Sequence, residues 1–462
     1  MTATVGTLAA PGTLAAILKE FYLGPVQEQL NNEVMVLELM QKTTVDWNGK
    51  VAIIPVHLDR NSGVGYRAEG GTLPVAGQQG FNRLQITSAY LYGRFQVTGP
   101  AMASAGKGGP NSFIGWMDAE MKKLVTDVKN EADRSMVSGG RVLGFINEHE
   151  NKTNAAGPMT YEFFGDLEKL QTLHNIAANL AAPVDLRIEF IRMDTYETIA
   201  TWGGGPNAYG DLQAAGTPFD FANRTFTMRA AAVNDLDLTG LPDGVACAVR
   251  MPDTQGNAPA DVAIEAVIGT QPVGIFGNIA EPTHFTVDRT TATNTATALQ
   301  STAITMATAG NHDRADIGLT RIQAVMDTVL NTSGTEPNII LMNPLQRQKY
   351  AALFQLTAGA SNAVQNVSGE KSGAFNGGFS GLSYGNMPLK TSRHVANGGL
   401  IFLKTDTWKL LELQPHGFAD VDGDVLLRVQ NQDSYEGYYR WYYNTVCVQP
   451  NRNAILAGLT LL

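Results

Sequence analysis

"KVAIIPVHLDRNSGVGYRAEGGTLPVAGQQGFNRLQITSAYLYGRFQVTG", residues 50–99, is the stretch that decides the fold. "KVAIIPVHL" reads as a strand, and Pro55, which cannot donate to a ladder, sends it to an edge. "LQITSAYLYGRFQVTG" reads as a second strand of about fifteen residues, with a reach of ~50 Å. Between them, residues 59–83 are polar and glycine-rich. A compact domain has little use for so long a connection, whereas a hairpin that projects over a neighbour does.

Outward from the hairpin, residues 13–42 read as helical with a break at Gly24-Pro25. Beyond the break, Val26, Leu30, Val34, Leu37 and Met40 form one apolar stripe. After the hairpin, Met117, Met121, Leu124, Val125, Val128, Ala132 and Met136 recur at helical spacing. Ser112 supplies an N-cap and Gly139-Gly140 stops the helix. Asp118–Lys122 and Lys129–Asp133, each four residues apart, are expected on its wet side.

Residues 150–305 change character. "TYEFFGDLEKLQTLHNIAANL" reads as a helix and "VDLRIEFIRM" as a half-buried strand. Short strand candidates follow at "RTFTMRA", "GVACAVRM", "DVAIEAVIG" and "HFTVD", punctuated by turn residues. From 316 helices and strands alternate: "IGLTRIQAVMDTVL" a helix, "NIILMN" a buried strand, then a helix opened by Pro344. A polar loop, 357–382, precedes "SYGNMPLKTSRHVANGGLIFL" (383–403). The chain ends in strands, with "YYRWYYNTVCV" and "AILAGL" read as a pair around Pro450.

Composition narrows the function. The 462 residues carry a net charge of −10, which argues against a nucleic-acid grip built on clustered Lys and Arg. Charged residues make up 16%, below the usual ~25%, consistent with much surface meeting other subunits. Two distant cysteines, Cys247 and Cys447, fit a reducing compartment. The N-terminus reads as no signal peptide, and no apolar run approaches a membrane span.

A search for chemistry returns little. The histidines, at 57, 149, 174, 284, 312, 394 and 416, form no pair at metal spacing. "DVDGD" (420–424) lacks the glycine and glutamate positions of a calcium loop and reads as a hairpin turn. "AGKGGP" (105–110) and "GVGYRAEGG" (63–71) fail the phosphate-loop and dinucleotide patterns. The tyrosines around Trp441 suit a sheet face better than base stacking. Lys390, Arg393 and His394 read as solvated residues on a connection between strands. No catalytic, cofactor-binding or metal residue is expected.

Taken in order, these pieces resemble the major capsid protein of tailed bacteriophages, of the Hong Kong 97 type. "NIILMNPLQRQKYAAL" is similar to that family's strand, Asn-Pro and helix. "YGNMPLKTSRHVANGGLIFL" is similar to its turn, proline, and glycine before a hydrophobic strand. "YYRWYYNTVCVQPNRNAILAG" is similar to its closing segment. Residues 14–148 match by layout, 316–462 by layout and letters, and 150–305 lie outside the resemblance.

The resemblance implies an α+β fold: an N-terminal arm (1–46), an extended loop hairpin (47–100), and a peripheral domain with a spine helix (101–140). The axial domain would start at 141–150 and resume at 306–410, interrupted by a β-rich insertion (151–305) that projects from the shell. Residues 411–439 would return to the peripheral domain and 440–462 close the axial one. It implies a structural protein forming an icosahedral shell of hexamers and pentamers around double-stranded DNA, with no sequence-specific binding. A separate scaffold protein, a portal and, optionally, a cement protein are the implied partners. The implied location is the virion capsid, assembled in the host cytoplasm. Intersubunit contacts are expected at Arg60, Arg67, Glu69 and Arg83 on the hairpin and at Asp118 and Lys122 on the helix. Some family members cross-link through a hairpin lysine; no lysine occurs here between Lys50 and Lys107, so a non-covalent shell is expected. An encapsulin-like compartment and an α/β enzyme with a β-rich accessory domain stand as alternatives.

Overall fold

The structure is a computed structural model. It describes residues 34–41, 44–47, 49–100, 113–149, 159–199, 209–212, 218–228, 245–256, 258–290, 299–305, 315–357, 382–385, 387–420, 426–429 and 432–460. The helical reading of 13–33, the loop 358–381 and most of "DVDGD" lie outside them.

The described chain begins with helix α1 (Met35–Gln41) and strand β1 (Thr44–Asp46), then the hairpin β2 (Val51–Asp59) and β3 (Gly80–Thr87), then β4 (Ala89–Thr98). The hairpin pairs Val51 with Thr87 through to Asp59 with Gly80. One face, with Val56, Leu84 and Ile86, packs on Trp47, Val287, Leu299, Leu411 and Val446. The expected second strand is therefore two strands, broken at Ser88. The reason is a phase slip in the sequence: inward residues are even-numbered in β3 (Leu84, Ile86) and odd-numbered in β4 (Ala89, Phe95, Val97). One continuous strand cannot bury both sets on one face.

Helix α2 (Phe113–Ser138) runs ~39 Å and lies on β4. Gly93 permits the approach, since a Cβ there would meet Val128 at 2.8 Å and Leu124 at 2.9 Å. Helix α1 packs on the other end, placing Val36, Leu37, Leu39 and Met40 among Ala132, Met136 and Val137. Asp133, expected on the wet side, is fully buried there. At the C-terminus Gly140 adopts φ +78°, and a Cβ on Gly139 would sit 2.1 Å from the Pro272 carbonyl.

Next come β5 (Val142–His149), β6 (Met159–Gly165), α3 (Leu167–Ala178), β7 (Leu186–Arg192), β8 (Tyr209–Leu212), β9 (Phe219–Asp220), β10 (Thr225–Met228), β11 (Cys247–Arg250) and α4 (Ala258–Ile268). The strands form one antiparallel sheet in the order β8-β7-β11-β5-β6-β10-β9. Three readings are corrected here. "TYEFF" is strand, and the helix starts only after Asp166 caps it, accepting from the Lys169 N–H at 2.9 Å. "DVAIEAVIG" is helix: Ala260, Ile264 and Ile268, four apart, are its buried stripe. "VDLRIEFIRM" is covered on both faces, so Glu189 is buried and pairs with Arg250 at 2.5 Å.

That double coverage is decisive for the segment's role. One face of the sheet packs with α3 and α4. The other places Phe145, Phe164, Ile191 and Ala248 in the same core as Trp408, Trp441 and Tyr443. The phenyl ring of Phe164 lies 2.7 Å from where a Cβ on Gly399 would be. The segment is built into the body, where the resemblance implied a projection.

The rest comprises α5 (Ile275–Ala280), the two-residue strands β12 (Thr283–His284) and β13 (Val287–Asp288), β14 (Thr302–Thr305), α6 (Leu319–Ser333), β15 (Ile339–Met342), α7 (Pro344–Thr357), β16 (Ser383–Tyr384), β17 (Met387–Thr391), β18 (Gly399–Leu403), β19 (Trp408–Phe418), β20 (Leu427–Arg428), β21 (Ser434–Cys447) and β22 (Ala454–Ala457). A mixed sheet runs β14-β22-β18-β15-β17-β16, with its own core against α6 and α7. A second sheet joins β1, β19, β21 and β20, with β4 on β21. The two final strands do not pair: β21 stays with β19 and β4, while β22 crosses to β14 and β18. Residue 440, the expected boundary, lies inside the unbroken β21.

Candidate assembly surface

The hairpin's far end, residues 60–79, is solvent-exposed over nearly its whole length. Its neck is narrow because Gly63 and Gly77 face each other. A Cβ on Gly63 would meet the Gly77 nitrogen and the Val75 carbonyl oxygen, each at 2.9 Å. Asn61 Oδ1 holds the turn by accepting from the Gly63 N–H at 2.7 Å. Beyond the neck stand four apolar side chains with almost nothing around them: Val64 (85% exposed), Tyr66 (103%), Leu73 (82%) and Val75 (88%). On the hairpin's outer face Ile53 and Phe81 add to this surface, with the Phe81 ring 5.1 Å from that of His57. Thr286 ties the hairpin's base to the body, accepting from the Gln85 N–H and donating to the Arg83 carbonyl at 2.9 Å.

The sequence-derived contact residues divide accordingly. Arg60, Arg67, Glu69 and Arg83 are each exposed on the hairpin. Arg67 spends its guanidinium on the Thr72 and Tyr66 carbonyls at 3.1 and 3.0 Å, so it shapes the tip. Lys122 is exposed on α2, apart from the hairpin, and the side chain of Asp118 lies outside the described residues. Sequence reasoning described the tip as polar and missed its four apolar residues; their presence in a glycine-rich loop was the available signal.

A second uncovered face belongs to β4 and β21. Tyr90 and Tyr92 are exposed, and both rings pack edge-on to Tyr442. The Tyr92 hydroxyl donates to that of Tyr442 at 2.9 Å, and this bond pushes its pKa up to about 12. Arg94 and Glu436 pair beside them.

Two buried polar clusters were also invisible in the sequence. At the C-terminus of α2, Lys169 Nζ donates to the Ser138 and Gly140 carbonyls, both at 2.7 Å. Burial, with Arg134 nearby, pushes its pKa down to about 7. Asp166 accepts there from Ser138 Oγ at 2.8 Å and Arg134 at 2.7 Å. Midway along α2's last turns, Asp133 Oδ1 accepts from the Leu37 N–H at 2.7 Å, and Oδ2 lies 3.7 Å from His394 Nε2. Of the three basic residues on 383–403, Lys390 and Arg393 are exposed as expected, but His394 is turned inward by this contact.

Among the described residues, no group of three or more His, Cys, Asp or Glu side chains could hold a metal ion, and no helix is long and apolar enough to cross a membrane.

Comparison with known proteins bears on residues 275–460, which match the family described as "SU10 major capsid protein". No curated protein matches the chain. Among solved structures, the chain is similar to one described as "Cyanophage A-1(L) capsid asymmetric unit", with TM-score 0.49, 10% identity, and coverage of 98% of this chain and 100% of that one. It is similar also to the "Capsid of native GTA particle computed with C5 symmetry", with TM-score 0.46, 9% identity, and coverage of 99% and 100%. A third likeness is to Gordonia phage Cozz, with TM-score 0.43, 9% identity, and coverage of 100% and 98%. The capsid family match runs from α5 to β22 and takes in the mixed sheet with its two helices, while the projecting hairpin and the long helix precede it in the chain.

Proposed function

We propose that this chain is a tailed-phage major capsid protein of the Hong Kong 97 type, that its copies close into a shell of hexamers and pentamers by seating each hairpin tip on a neighbouring copy, and that the shell encloses double-stranded DNA. The observation that carries the mode of assembly is the tip itself: Val64, Tyr66, Leu73 and Val75 are exposed at the end of a narrow stalk. Burying each such side chain yields ~1.5–3 kcal/mol, which is realised only in the assembled state. Repeating the same patch around a closed symmetry multiplies modest contacts into a stable shell.

In this reading residues 1–46 are the arm, 47–88 the extended loop, and 89–138 with 408–447 the peripheral unit. The mixed sheet of β14-β22-β18-β15-β17-β16 is the axial unit, and 142–268 a wall between the two. Cohesion is non-covalent, because arginines stand where an amine nucleophile would be needed. A scaffold protein, a portal and optionally a cement protein complete the assembly, which takes place in the host cytoplasm.

The test is to express the chain and a variant carrying V64S, Y66S, L73S and V75S, then image both by negative stain. Wild type forms shells or tubes. The variant stays as dispersed subunits with an unchanged melting temperature, since the tip contributes nothing to the body's core. Dispersed wild-type subunits, or shells from the variant, would overturn the reading.

A further inference from the structure

Strand β2 is an aggregation hazard by composition. Between Lys50 and Asp59 it carries no Lys, Arg, Asp or Glu, and Val51, Ile53, Ile54 and Val56 favour extended chain. It belongs to a two-stranded sheet and pairs with β3 alone among the described residues. Each strand therefore turns one row of backbone groups away from the other, and such rows template further strands.

Hydrogen bonds from the body show which residues lie in these rows. Thr286 Oγ1 accepts from the Gln85 N–H at 3.3 Å and donates to the Arg83 carbonyl at 2.9 Å, so both residues face outward from β3. Their register partners, Ile53 and Pro55, face outward from β2, because opposite residues in an antiparallel pair share one orientation. Pro55 thus stands in the middle of the one row where its missing N–H costs the hairpin nothing and denies an incoming strand a donor. On β3 the same part is played by side chains. Thr286 takes two groups that a neighbouring strand would use, Asn82 Oδ1 accepts from the Arg83 N–H at 2.8 Å, and Asn444 Nδ2 donates to the Thr87 carbonyl at 2.7 Å. The turn presenting Thr286 passes through Phe285 at φ +56°, a conformation that a bulky residue adopts only where its surroundings impose it.

We propose that both long edges of the projecting hairpin are closed to a strand from a second copy, so that copies meet through its tip and its side-chain face. Strand addition leaves a fresh edge on each added copy and grows into open ribbons, whereas a side-chain patch repeated by rotation closes. The purpose of the closure rests on the shell reading; its test does not.

Pro55 is exposed, so P55V should leave the melting temperature of the subunit unchanged. The variant regains one backbone donor, and full-length P55V is expected to form thioflavin-binding ribbons at a concentration at least about fivefold below any at which wild type does. His57 faces the same way as Pro55, so P55V/H57P moves the proline along the same edge and should return to wild-type behaviour. T286V should also form ribbons and, by hydrogen exchange, lose the protection that the Gln85 amide has in wild type. P55V that binds no more dye than wild type, ribbons that persist in P55V/H57P, or a Gln85 amide as unprotected in wild type as in T286V overturns the proposal. If P55V/H57P does not fold, P55V against wild type and the Gln85 amide decide. Thioflavin reads ribbons and electron microscopy reads shells, so a failure of shell assembly is scored separately.

Discussion

At the scale of single residues, the sequence shows which side chains are charged but not which are buried. Asp133 sits four residues from Lys129, a spacing that serves a wet helix face equally well. Only the packing of α1 on α2 places it inside. Lys169 carries the clearest pH consequence. Its folded pKa is about 7 and its ordinary value is 10.5, so the unfolded chain holds the extra proton between them. Stability therefore rises as pH climbs from 7 towards 10.5 and is lost as pH falls back through 7. K169M should flatten this rise, on the order of 1–3 kcal/mol, in denaturant midpoints compared at pH 7 and pH 9. Asp166 is the companion case. D166A removes a helix cap and a partner of the half-buried Arg134, and should cost about 2–4 kcal/mol in chemical denaturation at pH 7. An effect below 0.5 kcal/mol would show that the cluster is solvated.

At the scale of elements, legibility followed periodicity. The span of α2 was readable because apolar residues recur at helical spacing up to a double glycine, of which Gly139 has no room for a Cβ and Gly140 takes a left-handed φ. The break between β3 and β4 was also written in the sequence, as the shift from even to odd inward positions, but the run of strand-forming residues across Ser88 hid it. Helix α4 was obscured because "DVAIEAVI" satisfies an alternating and a fourfold pattern at once; the tertiary contact of Ala260, Ile264 and Ile268 decided between them. The hairpin neck gives an element-scale prediction. G63A forces a methyl group onto the backbone of Gly77 and Val75, costing the tip's closed form about 1–3 kcal/mol. The expected result is slower or failed assembly by light scattering, with the melting temperature of the subunit unchanged. A substantial drop in melting temperature would mean that the tip is integral to the body.

At the scale of the whole molecule, the C-terminal α/β pattern and the hairpin were enough to indicate the architecture, whereas the place of residues 142–268 was not. Deciding it needed to know what each sheet face meets, and apolar residues on both faces of β5 and β7 are visible in the sequence only as hydrophobic runs. The acidic charge of the subunit leads to a prediction about particles. At 1 M salt, where screening acts beyond about 3 Å, repulsion between subunits vanishes while apolar contacts persist. Particles should therefore survive high salt and yet run as a single subunit-sized band on denaturing gels. Dissolution in salt, or a ladder of linked species, would contradict apolar and non-covalent cohesion respectively.

The ring of Phe164 resting where Gly399 lacks a side chain has an evolutionary corollary. An ornament can be gained or shed without disturbing its host, but a keystone cannot. Any ancestor without this β-rich segment must have covered by other means the apolar surface that it now shares with Trp408, Trp441 and Tyr443.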